Sequence, residues 1–362
     1  MTAYTQRIEA LRNEFEKHKI DAFCITHIPH VAYLTGFSGS SGMVILTATE
    51  GHLLTDARYT AQAQQEVMLP NMAIHTERDW WGYIKSKNLL SGAKCVGFEA
   101  AHTSVASAEQ MKRALEDCEC KGIVGVVERI VMVKTPEEVE HIRCAAAIAA
   151  RTYEHIIQIA KAGMTEQDIA AEVVYMARKL GSESEGFETI VASGIRGALP
   201  HGRASHKAIR HGELVTLDFG CRVHGFYSDM TRTFAVGEPT AFQRALYALV
   251  LTANEQAIAA ARGGMTCGEL DTIARNILDT AGYGQYFVHG LGHGLGREVH
   301  EKPSISYRFA EDILPEGVVI TIEPGVYLPE QCGIRIEDNI WLTSTGCEVL
   351  TSAAPKHLLV IE

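Results

Sequence analysis

No apolar run in this 362-residue chain approaches the ~20 residues that a membrane-spanning helix needs, which argues against an integral membrane protein. The opening Met1-Thr2-Ala3-Tyr4-Thr5-Gln6-Arg7-Ile8-Glu9-Ala10-Leu11 is spaced as an amphipathic helix and lacks the apolar core of a secretory signal. Basic blocks are missing as well, and with a net charge of -11 the chain is a poor candidate for binding nucleic acid or anionic membranes. Its nine cysteines are odd in number and dispersed, with Cys118 and Cys120 the nearest pair and no CxxC. They predict reduced thiols in a cytoplasmic protein rather than a disulfide framework. Two familiar site motifs are absent. His289 and His293 form an HxxxH without the glutamate of the helical zinc motif, and glycines interrupt it. The glycine run itself has no strand-then-helix context, which excludes a dinucleotide fingerprint.

What is present is ordinary globular composition, 46% apolar, in a chain long enough for two domains around sizeable cores. The first part alternates strands and helices. A helix is predicted over 4–19, strands over 22–26, 43–47 and 52–55, and Asp56-Ala57-Arg58-Tyr59 closes the hairpin and leads into another helix. A strand over 95–98, a helix over 104–116 and a strand over 122–127 complete a small α/β domain, residues 1–130. A linker is expected near 128–135. Thr135-Pro136-Glu137-Glu138 then has the cap, the first-turn proline and the capping-box glutamate of a long helix that opens the second domain, 131–362.

That second domain contains an internal repeat. Ala162-Gly163-Met164-Thr165-Glu166-Gln167-Asp168-Ile169, ending in Leu180-Gly181, recurs 101 residues later as Gly263-Gly264-Met265-Thr266-Cys267-Gly268-Glu269-Leu270, ending in Ala281-Gly282. Each copy opens with a capping-box-like helix start and is followed by glycine-punctuated, β-branched segments. An α+β domain of two pseudo-symmetric halves follows, since the period is too long for a solenoid.

Acidic residues occur where buried strands are expected. In the first copy, strands over 214–219 and 226–235 joined through Val223-His224-Gly225 set Asp218 opposite Asp229, about 5 Å apart at Cβ if the turn is centred there. In the second, strands over 318–326 and 333–342 around Glu330 set Glu323 opposite Glu337. An ion-pair network or a metal could hold such pairs. Burying four negative charges costs many kcal/mol unless cations neutralise them, and one divalent ion would leave about two charges uncompensated, so two ions fit better. His293, in a turn whose glycines permit close backbone approach, supplies a fifth ligand. Oxygen donors with one imidazole and no thiolate favour manganese over cobalt, iron and zinc, with magnesium last. Paired ions of this kind activate water at neutral pH and polarise a carbonyl or phosphoryl oxygen.

At these residues the sequence resembles the pita-bread metallopeptidases, and within them the Xaa-Pro aminopeptidases and dipeptidases. The resemblance runs through Phe219-Gly220, Ser228-Asp229-Met230-Thr231-Arg232-Thr233, the His289-to-Gly296 run, Thr321-Ile322-Glu323-Pro324-Gly325 and Arg335-Ile336-Glu337-Asp338. Tyr33-Leu34-Thr35-Gly36-Phe37 and Thr55-Asp56-Ala57-Arg58-Tyr59 resemble the family's creatinase-type N-terminal domain. The resemblance implies a dinuclear site of Asp218, Asp229, His293, Glu323 and Glu337, with Asp229 and Glu337 bridging. All five are present, which counts against the metal-free creatinase branch. It further implies Glu323 as general base, His201, His289 and His300 as grips on the scissile carbonyl and tetrahedral intermediate, and Arg335 as a ligand-orienting residue. Tyr327 is a weaker candidate, read as half core.

The expected protein is a cytoplasmic, dimeric, two-metal Xaa-Pro aminopeptidase acting on peptides with proline second, with loop 36–42 lining a neighbour's active site. A Xaa-Pro dipeptidase is the near alternative. A methionine aminopeptidase, which would not need residues 1–127, and a non-enzymatic module that kept the fold stand further off.

Overall fold

The computed structural model describes residues 2–362. The chain divides into two compact units, Met1–Val131 and Met132–Glu362.

The first unit carries helices α1 (Ala3–Arg12), α2 (Glu14–His18), α3 (Ile28–Thr35), α4 (Thr60–Glu66), α5 (Trp80–Ser86), α6 (Val105–Ala114) and α7 (Val126–Met132). Its strands β1 (Ala22–Ile25), β2 (Gly42–Thr47), β3 (Gly51–Thr55), β4 (Met72–Thr76), β5 (Cys95–Glu99) and β6 (Glu119–Ile123) form a six-stranded mixed sheet in the order β4-β3-β2-β1-β5-β6. Both faces are covered. Val44 and Leu46 point into one apolar cluster with Leu11 and Phe15, while Met43 and Ile45 point into another with Ile84 and Met111. Strands packed on both sides read as continuous apolar runs, which is why β2 shows no polar alternation.

Two expectations need correcting here. The single helix over 4–19 is two helices that break at Asn13, a residue whose side chain competes with the backbone for hydrogen bonds and disfavours helix interiors. Asp56 ends the β2–β3 hairpin and leads into a helix as expected: its carboxylate accepts the Arg58 N–H and starts a 3-10 turn that runs into α4. The strand over 122–127 ends at Ile123. Gly125, at φ 79°, redirects the chain into α7, so most of the expected linker is helix, held by burial of Val126, Val127 and Val131.

In the second unit the repeat is visible in the element bounds. Helices α8 (Pro136–Ile159) and α9 (Glu166–Lys179) correspond to α10 (Ala241–Ala260) and α11 (Cys267–Thr280), the last helix of each pair shifted by 101 residues at both ends. Thr165 with Asp168 and Thr266 with Glu269 form full capping boxes, as do Thr135 with Glu138 and Thr240 with Gln243. Each satisfies two N-terminal N–H groups that would otherwise lack partners.

Each helix pair packs on a sheet. The first holds β7 (Ile190–Ser193), β8 (Glu213–Phe219) and β11 (Met230–Val236), while β9 (Arg222–Val223) and β10 (Phe226–Tyr227) form a separate two-stranded ribbon between β8 and β11 in the chain. The second holds β12 (Gly292–Gly294), β13 (Glu301–Ile305), β14 (Val319–Ile322), β17 (Asp338–Leu342) and β18 (Cys347–Val349), with β15 (Gly325–Leu328) and β16 (Cys332–Arg335) again a separate ribbon, and β19 (Val360–Ile361) returns to the edge of the first sheet beside β11. Thr216 Oγ1 donates to Gly333 O and Thr233 Oγ1 to Arg335 O, so the halves are stitched at their inner strands.

Candidate metal centre

The site is built where these two hairpins meet. In the first, His224 and Gly225 both take positive φ (49° and 76°) and make a two-residue turn. A 218–229 pair needs a turn centred between Val223 and His224, and the observed turn is centred one residue further along, between His224 and Gly225. Asp218 therefore pairs with Thr231, not with the expected Asp229; Asp229 lies two residues before Thr231 on the same face, a diagonal neighbour. In the second, the β14–β17 and β15–β16 ladders keep one register on either side of a break at Glu323-Pro324 and Ile336-Glu337, which sets Glu323 across from Glu337. The breaks free both carboxylates from ladder geometry and aim them inward.

All nine predicted site residues line one cleft of about 330 Å³: His201, Asp218, Asp229, His289, His293, His300, Glu323, Arg335 and Glu337. Asp229, His293 and Glu337 offer donor atoms within 4.8 Å of one another. His293 Nε2 stands 3.6 Å from Asp229 Oδ2 and 3.6 Å from Glu323 Oε1, too far for hydrogen bonds. Its Nδ1–H donates to Gly294 O at 3.0 Å, which leaves the Nε2 lone pair directed at the acids. The glycines permit this: a Cβ at Gly292 would lie 2.0 Å from Thr321 O, and one at Gly294 2.1 Å from Lys302 O.

Electrostatically the metal-free cup is unfavourable. Burial first, then Glu337, Asp218 and Glu323, push Asp229 well above the ordinary carboxylate range. Burial, Glu323 and Asp218 do the same to Glu337. Glu323 is pushed up to about 8, again chiefly by burial, although Arg335 pulls the other way. Burial and then His300 hold His293 down to about 3, so it is a neutral imidazole. Asp218 Oδ1, Asp229 Oδ1 and Glu337 Oε1 are buried and accept no hydrogen bond. Buried oxygens left unsatisfied beside a neutral imidazole fit divalent cations.

Several partners hold this set; the sequence reading named Arg335 and, more weakly, Tyr327, and missed the roles of Asn339 and Thr231. Asn339 clasps the Asp229 backbone from both sides, accepting its N–H at 3.0 Å and donating to its carbonyl at 2.6 Å. Thr231 Oγ1 donates to Glu337 Oε2 at 2.6 Å and accepts from Arg335 Nε at 3.0 Å. Arg335 also reaches Asp218 Oδ2 (2.6 Å), Tyr327 Oη (2.8 Å) and Pro200 O (3.0 Å). Tyr327 is fully in the network: its hydroxyl lies 2.9 Å from His289 Nε2, whose Nδ1–H donates to Gly290 O. His289 thus accepts the Tyr327 proton, and burial holds it down to about 4. Its Nε2 is engaged rather than open to a substrate oxygen. The His300 ring lies 4.2 Å from that of His293, tilted 45° to it, and His201 stands exposed on the wall.

Residues 140–344 match the model of metallopeptidase family M24, and residues 7–133 that of the creatinase/prolidase N-terminal domain. The chain belongs to metallopeptidase family M24. It is a hydrolase of the pita-bread fold with a creatinase-type N-terminal domain. It is similar to the Xaa-Pro dipeptidase of Pyrococcus furiosus, at 38% identity over 98% of this chain and 99% of that one. Among solved structures, a Xaa-Pro dipeptidase from Bacillus anthracis superposes with a TM-score of 0.95 at 37% identity, covering 99% of this chain and 100% of its own. An X-Pro aminopeptidase from Thermotoga maritima gives 0.90 at 38%, covering 98% and 99%. Family membership implies divalent metal ions, which the donor set accommodates. Among the described residues no helix is long and apolar enough to cross a membrane.

Proposed function

We propose that this M24 enzyme is a Xaa-Pro dipeptidase. The sequence alone favoured an aminopeptidase; two of the three relatives above bear the dipeptidase name, and they shift the reading. The cleft volume of about 330 Å³, at the small end for ligand sites, suits a short peptide. The observation that carries the catalytic part is the convergence of buried, unsatisfied carboxylate oxygens on the neutral His293.

Asp218, Asp229, His293, Glu323 and Glu337 would hold two divalent ions, with manganese the best match to oxygen donors and one imidazole. When bound, such ions make water nucleophilic near neutral pH and polarise the scissile carbonyl. Glu323 takes the proton of the attacking water and returns it to the leaving proline nitrogen, a role its place in the cleft beside His293 supports. His201 and His300, on the cleft wall, donate hydrogen bonds to the carbonyl oxygen as it gains charge. Arg335 holds Asp218 in place, and Tyr327 orients His289. All nine cysteines are free thiols, in keeping with a reducing cytoplasm, where we place a homodimer.

Chromatography of products separates the readings. Manganese-loaded protein is expected to split Ala-Pro and leave Ala-Pro-Ala uncut. Release of alanine from the tripeptide would favour the aminopeptidase reading, for which the Thermotoga maritima neighbour speaks. No cleavage of either peptide would reject both.

A further inference from the structure

Beyond the peptidase reading, and independent of it, we propose that His27, His30 and His102 in the first unit form a second metal site, of the zinc class. His27 caps the N-terminus of α3, His30 sits three residues on, and His102 follows β5. Their ring centroids are 4.7 Å (His27–His30), 3.8 Å (His27–His102) and 5.1 Å (His30–His102) apart. One nitrogen from each ring lies within 4.8 Å of the others. Zinc–nitrogen bonds of about 2.0–2.1 Å in a tetrahedral set need nitrogens about 3.4 Å apart, a closure that small ring rotations supply.

Two carboxylates orient these rings from behind. Glu99, 3% exposed, places Oε1 2.5 Å from His30 Nδ1, while its Oε2 accepts the N–H groups of Thr26 and His27, each at 2.9 Å. Glu128 Oε1 lies 3.2 Å from His102 Nε2. His30 Nε2 and His102 Nδ1 are thereby turned to the other side of their rings, the carboxylate–histidine arrangement that fixes metal ligands. The charges close as well, since two carboxylates around three neutral imidazoles are balanced by one divalent ion.

His102 also lines a cleft of about 440 Å³ with Arg78, Trp80 and Cys24, so this one of the three rings is reached from outside. Imidazole donors select zinc, copper or nickel over manganese, the reverse of the oxygen-rich cup. The rival explanation is a structural strap, Glu99 tying β5 to α3 through His30. A strap requires neither His27 nor His102.

The test uses the full chain carrying D229N and E337Q, which weakens the cleft site, stripped with chelator and titrated with Zn²⁺. Mass spectrometry of the desalted protein is expected to count one zinc per chain, lost when H27A and H102A are added. E128Q is expected to weaken uptake ~10–100-fold. Equal zinc counts with and without H27A and H102A overturn the proposal. Should that variant not fold, Co²⁺ added to the D229N–E337Q chain gives a second reading: visible bands of nitrogen-bound cobalt support the site, and a spectrum unchanged from free cobalt overturns it. Peptide cleavage decides the function above without reference to either result.

Discussion

Arg335 Nη2 lies 2.6 Å from Asp218 Oδ2 with both side chains buried, so one of the four cup carboxylates has its own cation. A tally of acids alone therefore overstates the deficit. Four carboxylates and one guanidinium leave three formal negative charges, which two divalent ions, if held there as proposed, would turn into one positive charge available to stabilise an oxyanion.

Replacing Arg335 by Met strands the Asp218 charge and should cost about 3–5 kcal/mol, the range for removing one partner of a buried pair. Metal should offset part of this, because an ion at Asp218 replaces the lost cation. Urea denaturation with chelator and with manganese is expected to show a larger loss in chelator; equal losses would remove Asp218 from the metal set.

Glu323→Gln keeps the shape but cannot accept a proton. Turnover is expected to fall ~10²–10⁴-fold while the folded state persists. Steady-state kinetics with Ala-Pro, together with circular dichroism, measure this; activity within ~10-fold of the parent excludes the general-base role.

The metal-free chain should lose stability as pH rises from about 6.5 to 8. Asp229, Glu337 and Glu323 are all raised, the last to about 8, so the native state keeps protons that the unfolded state has released. Their contribution is complete below the unfolded carboxylate range and disappears as pH climbs through the folded values. His289 and His293, lowered to about 4 and 3, act the other way, but only below the ordinary histidine range. Above it the carboxylates alone govern the slope. Melting curves in chelator should fall through this window, whereas a flat profile would contradict the buried cup.

Much of this was legible in the sequence because it is periodic or local. The shift of 101 residues, the capping boxes at Thr135, Thr165 and Thr266, and the acids in apolar strands are written in residue order. The Asp218 register was not, since one residue of turn length moves a strand partner by two, and only the positive φ of both His224 and Gly225 fixes it. Asn339 gave a faint signal as an amide in a run of Ile340 and Leu342. Thr231 gave one too, two positions from Asp229. Tyr327 gave only a weak one and reads as half core: buried aromatic residues in strands are usually core, and its hydroxyl finds Arg335 and His289 only after folding.

Tyr327→Phe leaves His289 Nε2 without its donor and removes one of the acceptors of Arg335 Nη1, which keeps Pro200 O. A loss of about 1–3 kcal/mol in stability is expected, the cost of an orphaned buried group. If His289 acts only through its orientation, kcat should fall more than KM rises; a change confined to KM would place Tyr327 in substrate binding instead.

Asn339→Ala and Thr231→Val probe the supports of two metal donors without touching a donor. Asn339 fixes Asp229 only through its backbone, so its loss lets that segment shift, while Thr231 supplies the hydrogen bond that orients Glu337. Loss of an outer partner typically weakens metal binding ~10–100-fold, and both variants should need correspondingly more manganese for half-maximal activity. At saturating metal the Thr231 variant is expected to recover most of its rate, because bound ions hold Glu337 directly. Asn339→Ala should recover less, since the backbone it releases carries Asp229 itself. Titrations of activity against free manganese decide the order, and identical recovery in the two variants would mean that the backbone clasp adds nothing beyond the side-chain hydrogen bond.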